Sequence, residues 1–175
     1  MVNKDNTSDV DTMVDLYLPL VSRTAFRILC DRKDCEAVSL GVLKYLMHNP
    51  FPSDLPVRRI DMKLYRITYI YSVLRIIRRQ FMWFLYRRPP IYTYSLADDR
   101  TDEEYIKGQA WEIYCRASRI MTPAQRVVYV LSELEQLTLD DVSKITGMMP
   151  FMVTEALNKS REKVKKELRK YGRVL

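Results

Sequence analysis

The sequence predicts an all-α protein: two helical domains joined by a linker, with a C-terminal helix-turn-helix. Three observations predict it. Only four glycines are spread over 175 residues. No stretch alternates apolar and polar residues between turn signals, as a half-buried strand does. Long segments instead repeat apolar residues every three or four positions, which sets one stripe of each helix against a core. With 47% hydrophobic and 29% charged residues, the chain has the make-up of a soluble globular protein able to bury such a core.

The first helix is expected over Val10 to Leu29, with Pro19 as a kink or a start. Asp34 is placed to cap the second, from Cys35 to Met47. Pro50, Pro52 and Pro56 exclude a helix from the stretch that follows. The third and longest helix runs from Arg59 to Tyr86 and stops before Pro89 and Pro90, since proline bars helical backbone from the residue ahead of it. These helices form a domain over residues 10–90. Residues 91–108 read as a solvated linker, made acidic by Asp98, Asp99, Asp102, Glu103 and Glu104. The second domain covers 109–173. Its first helix spans Gln109 to Arg119, with Trp111, Ile113, Tyr114 and Ala117 inward. Thr122 and Pro123 signal the next start, and that helix turns Val127, Val128, Leu131 and Leu134 inward.

The last third carries the densest set of signals. The Thr138 hydroxyl can accept from a free backbone N–H, and Asp141 suits the positive end of the helix it opens. Val142 and Ile145 give that short helix an apolar side. Gly147 supplies the freedom for a tight turn. Pro150 is a good first residue for the final helix, because its missing N–H is one that has no partner there. Val153, Leu157, Val164 and Leu168 mark the buried stripe; Lys159, Arg161, Lys163, Lys165, Lys166, Arg169 and Lys170 stand around it. Such a helix can enter a major groove with its first turns while its basic end meets phosphates. A basic amphipathic helix is also, simply, a solvated face.

Charge is clustered. Within the net +7, residues 58–88 carry +8 and 159–175 carry +6, with −4 over 89–104 between them and the remaining segments slightly acidic. Two cationic blocks point to a polyanionic partner met by two surfaces. Cys30, Cys35 and Cys115 form no CxxC pair and, with the single His48, show no zinc spacing; buried thiols in a reducing cytoplasm are expected. His48 lies beside prolines, and no glycine-rich phosphate loop or catalytic set is present, so neither cofactor, metal nor enzymatic activity is expected. The acidic N-terminus does not read as a signal peptide. Arg66, Arg75, Arg78 and Arg79 interrupt the apolar stretch from Leu64 to Tyr86, which rules out membrane insertion. In that stretch and beyond, Tyr65, Tyr69, Tyr71, Phe81, Trp83, Phe84, Tyr86, Tyr92 and Tyr94 interleave with the arginines. The rings either fill the core or stand out to stack on single-stranded bases.

In order and content these parts resemble a two-domain bacterial sigma factor of the extracytoplasmic-function group. MTPAQRVVYVLSEL, TLDDV, Gly147, Met152–Val153 and KSREKVKKEL resemble the domain that reads the upstream (−35) promoter element. LYLPLVSRTAFRILCDRKDCEAV and KLYRITYIYSVLRIIRRQF resemble the domain that binds polymerase and opens the −10 element. The family's usual asparagine and aspartate on the third helix fall here on Ile70 and Leu74, and its second-helix acidic and amide positions on Cys35, Glu36, Ala37 and Leu40. The resemblance implies a transcription initiation factor with RNA polymerase core and promoter DNA as partners, and an anti-sigma protein as a further one. It places Thr138, Met152, Thr154, Glu155, Asn158, Lys159, Arg161 and Lys163 at −35 DNA. Arg66, Tyr69, Arg75, Arg78 and Arg79 would hold the −10 strand, and Glu36, Leu40 and Leu43 would meet polymerase. Two alternatives remain from the residues themselves: a sigma-like regulator that no longer initiates, and a helical module whose basic faces dock an acidic partner or a membrane surface.

Overall fold

The computed structural model describes residues 4–52, 54–86 and 102–171, and every regular element among them is helical. They group into two compact units, residues 1–91 and 92–175.

Unit 1 holds α1 (Lys4–Leu29), α2 (Arg32–His48) and α3 (Val57–Tyr86), each in contact with the other two. The helix α1 begins six residues before its expected start and passes through Pro19 without breaking. Pro19 lies on the exposed side, where water can serve the carbonyl that loses its N–H partner. The cap of α2 is Asp31, whose carboxylate accepts from the Asp34 N–H at 2.9 Å. Asp34, expected as the cap, sits one turn inside, and its own carboxylate is free to reach α3. There it takes Arg75 Nε at 2.6 Å and Arg79 Nη1 at 2.9 Å. Beside this clasp pack Val21, Ala25, Ile28 and Leu29 of α1, Val38, Val42 and Leu46 of α2, and Leu64 and Ile76 of α3. Tyr71 lies against Gly41: a Cβ there would stand 2.9 Å from the ring. Only glycine lets α2 and α3 approach so closely at this point.

Unit 2 holds α4 (Asp102–Arg119), α5 (Pro123–Tyr129), a π-helical turn (Val130–Leu134), α6 (Leu139–Thr146) and α7 (Pro150–Tyr171). The helix α4 starts at Asp102 rather than Gln109. Acidic residues suit the positive end of a helix, so Asp102, Glu103 and Glu104 open one instead of extending a linker; Arg87, Arg88, Tyr92, Tyr94 and the rest of the linker up to Thr101 lie outside the described residues. A full capping box starts α5: Thr122 Oγ1 accepts from the Gln125 N–H, and Gln125 Oε1 accepts from the Thr122 N–H. The rings of Tyr114 and Tyr129 stack at 5.5 Å. Val127, Val128 and Leu131 are buried as expected, whereas Leu134, in the π-helical turn, is half-buried. Arg126 is also buried and donates to the Ser118 carbonyl near the end of α4.

Removal of the Asp34 carboxylate would leave two part-buried guanidiniums without their anion. Asp34→Ala is expected to lower the unfolding free energy by about 2 kcal/mol, the scale of a charged hydrogen-bonded pair, in urea titrations followed by helical circular dichroism.

Candidate nucleic-acid interface

Local chemistry places the last two helices. The Thr138 hydroxyl accepts from the Asp141 N–H at 3.2 Å and caps α6. Gly147 ends α6 at φ 73, in the left-handed region, and its N–H returns to the Ser143 carbonyl. Ser143 Oγ donates across the turn to the Met148 carbonyl. Pro150 then opens α7. The helix α7 buries Val153, Ala156, Leu157 and Ser160. Val164 is half-buried and Leu168 is exposed, so the expected stripe holds only for its first half. Beyond Ser160 the helix runs past α4 and α5, where Lys163 reaches the Ile120 carbonyl and Arg116 lies over the Tyr171 ring.

Outward from that stripe stand Met152, Thr154, Glu155 and Asn158, all exposed in the first turns of α7. Phe151 and Met149 are exposed beside them, and the sequence does not mark either as a contact. Phe151 falls off the three-four repeat of the core stripe; Met149 keeps that repeat, four residues before Val153, but lies in the turn ahead of α7. Thr138 is exposed at the N-cap of α6, and its hydroxyl is engaged in that cap.

The expected phosphate contacts differ in kind. Lys159 pairs with Glu155 at 2.6 Å and Arg161 with Glu133 at 2.5 Å, both at the surface. The Lys159 hydrogen bond, and then its charge, holds the Glu155 carboxyl below its usual pKa, so Glu155 stays anionic near neutral pH. Lys163 is turned inward. Its ammonium donates to the Ile120 carbonyl at 2.6 Å and to Gln125 Oε1 at 2.7 Å, joining α7 to the capping box of α5. Asn158, Lys159 and Lys163 meet Gln125, Glu162 and Lys166 around an open groove of about 580 Å³.

In unit 1 the five expected strand-holding residues do not share a face. Arg75 and Arg79 point to Asp34, Arg66 and Arg78 are exposed on other sides of α3, and Tyr69 is half-buried. Of the rings, Phe81 and Phe84 are exposed, Tyr65 is buried and Tyr71 is half-buried; the side chains of Trp83 and Tyr86 lie outside the described residues. On α2, Glu36 is exposed and paired with Arg32 at 3.1 Å, Leu40 is 59% exposed, and Leu43 is half-buried. Their spacing of four and three puts them on one outward face.

All three cysteines are buried. Burial pushes the Cys35 thiol pKa up, with Ser39 opposing. No group of three or more His, Cys, Asp or Glu side chains gathers as metal ligands would, among the described residues. No helix among them is long and apolar enough to cross a membrane.

A solved structure shares this architecture. It is the sigma factor RpoE in complex with the anti-sigma factor NepR from Bartonella quintana, with a TM-score of 0.68 at 13% identity over 92% of this chain and 97% of that one. The likeness shows a sigma-factor-like, all-α fold. No protein-family model matches the chain, and no curated protein matches it.

Two outcomes follow from this geometry. Lys163→Met removes both inward bonds and is expected to lower the stability of unit 2 by roughly 1–2 kcal/mol, read as an earlier thermal transition. A buried, protonated thiol reacts slowly, so thiol-alkylating reagents should label Cys35 in native protein far more slowly than in urea.

Proposed function

We propose that this chain is a sigma-like transcription factor that reads promoter DNA with α7 and brings RNA polymerase core to it. One observation carries the reading: the first turns of α7, held by a cap, a left-handed glycine and a proline start, present Thr154, Glu155 and Asn158 outward ahead of a cationic stretch. That is the layout of a helix-turn-helix whose first turns meet base edges while lysines and arginines meet phosphates. The likeness to a sigma factor supports it. In this proposal Met152 and Phe151 offer apolar contact to thymine methyls, and Glu155 accepts from a cytosine amino group. Thr138 stands by the phosphate backbone at the start of α6. Lys159 and Arg161 exchange weak surface carboxylates for phosphates, since an exposed ion pair holds by only about 0–1 kcal/mol. Lys163 positions the helix. Glu36, Leu40 and Leu43 form the face for polymerase. An anti-sigma protein and a cytoplasmic location belong to the same proposal, and the reading is of a binding protein, not an enzyme.

A second reading has its own support. Arg75 and Arg79 are held by Asp34, and Ile70 and Leu74 occupy the side of α3 turned away from it. Of the cations expected to grip a melted strand, that leaves Arg66 and Arg78. A sigma-like regulator that binds DNA and polymerase without opening promoters fits these contacts.

The test begins with selection of bound sequences from random DNA, with polymerase core present. Lys159→Ala and Arg161→Ala are each expected to weaken binding to all sequences alike and to reduce the salt slope by about 1. Glu155→Ala is expected to shift preference at one base pair by roughly 1–3 kcal/mol. No salt-dependent DNA binding by the native chain sinks the proposal and leaves an interaction module. Permanganate reactivity of promoter thymines then separates the two readings: opening that weakens in Arg78→Ala supports initiation, and no opening on any selected promoter supports the regulator.

A further inference from the structure

We propose that the outward face of α3 is a docking surface for an acidic, amphipathic helix of another protein. Ile70, Leu74, Ile77, Phe81 and Phe84 are all exposed, from 42% to 76%. Their spacings alternate four and three, the strict 3.5-residue repeat of a two-helix seam. The repeat extends backward through Ile67, Lys63 and Ile60, so one seam runs the length of α3. At about 100° per residue this stripe lies opposite Leu64, Thr68, Ser72 and Ile76, which already face the core of unit 1. The helix therefore has two apolar faces, and unit 1 covers one. Singly exposed apolar residues need no explanation, whereas a contiguous row of five marks an interaction site.

Charge selects the occupant. Arg66 and Arg78 flank the seam, one on each side, at the positions where paired helices set partner choice. Both are exposed, and neither makes an ion pair among the described residues. The helix carries seven cations and one carboxylate, Asp61, which sits toward the core side. The complement is a helix with aliphatic residues along its own seam and glutamate or aspartate beside it. A second copy of this chain would set this cationic face against itself. An anionic bilayer would want a broad apolar face, but this one spans only about 80° at 100° per residue. Ile70, Leu74 and Ile77 cannot stack on bases, so a nucleic acid strand gains little from them. The surface stands whether or not unit 2 binds DNA.

The probe is a synthetic three-heptad peptide with isoleucine and leucine at the seam positions and glutamate beside them, titrated into the full chain by fluorescence anisotropy. Its mirror carries lysine in place of glutamate. The glutamate peptide is expected to bind in a saturable way and the lysine peptide not to bind. Leu74→Glu should weaken binding at least about tenfold, because it buries a charge in the seam; its site is exposed, and unchanged circular dichroism confirms the fold. Arg78→Glu should shift preference toward the lysine peptide. No binding of the glutamate peptide overturns the proposal, as does equal binding by Leu74→Glu. Sedimentation as a dimer that Leu74→Glu returns to monomer would assign the face to a second copy. Binding to phosphatidylglycerol vesicles but to neither peptide would assign it to a membrane.

Discussion

Unit 1 depends on the carboxylate of Asp34. Taking ions out of water is costly, and a pair repays the cost only when its geometry is good and its remaining bonds are met. Here one carboxylate serves two guanidiniums, at 2.6 and 2.9 Å, and stays about one-tenth exposed. Arg75 and Arg79 are four residues apart, so they share one side of α3. A rotation of α3 by one residue would carry both away from α2. The apolar contacts alone do not set that rotation, because α3 is apolar on two sides. Nor do the buried hydroxyls: Thr24, Thr68 and Ser72 have no hydrogen-bond partner among the described residues. The ion pair decides which apolar stripe becomes core and which meets solvent.

Unit 2 solves the same problem with backbone chemistry. Thr122 and Thr138 cap helices, and Gly147 turns the chain. Arg126 and Ser160 tie side chains to carbonyls on neighbouring elements: Arg126 to Ser118, and Ser160 to Gln125 at 2.9 Å. Lys163 adds a third such tie at the Ile120 carbonyl. Two of these bonds start on α7: Ser160 ties it to α5, and Lys163 ties it to the residue that follows α4. They hold the middle of the helix, next to Asn158 and Lys159. A cation near a basic tail can thus be a structural bond, and sequence cannot separate the two, because Lys163 and Lys166 read alike until the Ile120 carbonyl is in place.

Much of the fold was legible. The capped starts at Thr122 and Thr138, the turn at Gly147 and the proline start at Pro150 are local, and local chemistry does not depend on what packs against it. Helix extents were less legible, because Asp102 to Glu104 serve equally as linker or helix start, and Pro19 can sit inside a helix when the carbonyl it leaves unpaired, four residues back, meets water. The expected base-reading set on α7 was placed outward as a group. The expected strand-holding set on α3 was scattered, since a run of arginines says nothing of which ones a distant Asp34 will claim. Phe151 carries no charge or capping chemistry that would mark it, and the two apolar stripes of α3 cannot be told apart as core and surface until α1 and α2 are packed against one of them.

The charges on α7 limit what that helix can do alone. Glu155, Glu133, Glu162 and Glu167 each sit within an ion pair of a lysine or arginine, so part of the cationic stretch is already answered. A phosphate that takes Lys159 must displace Glu155, and the freed carboxylate then repels the backbone unless it finds a base-edge donor. Non-specific binding, which rests on phosphates alone, is thereby weakened more than binding at a site with that donor. Selectivity gained this way costs affinity. A second attachment restores it without new contacts on α7, because linking two weak sites makes the second binding event intramolecular. In the proposed function unit 1 supplies that attachment through the exposed face of α2, so neither unit needs to bind tightly by itself.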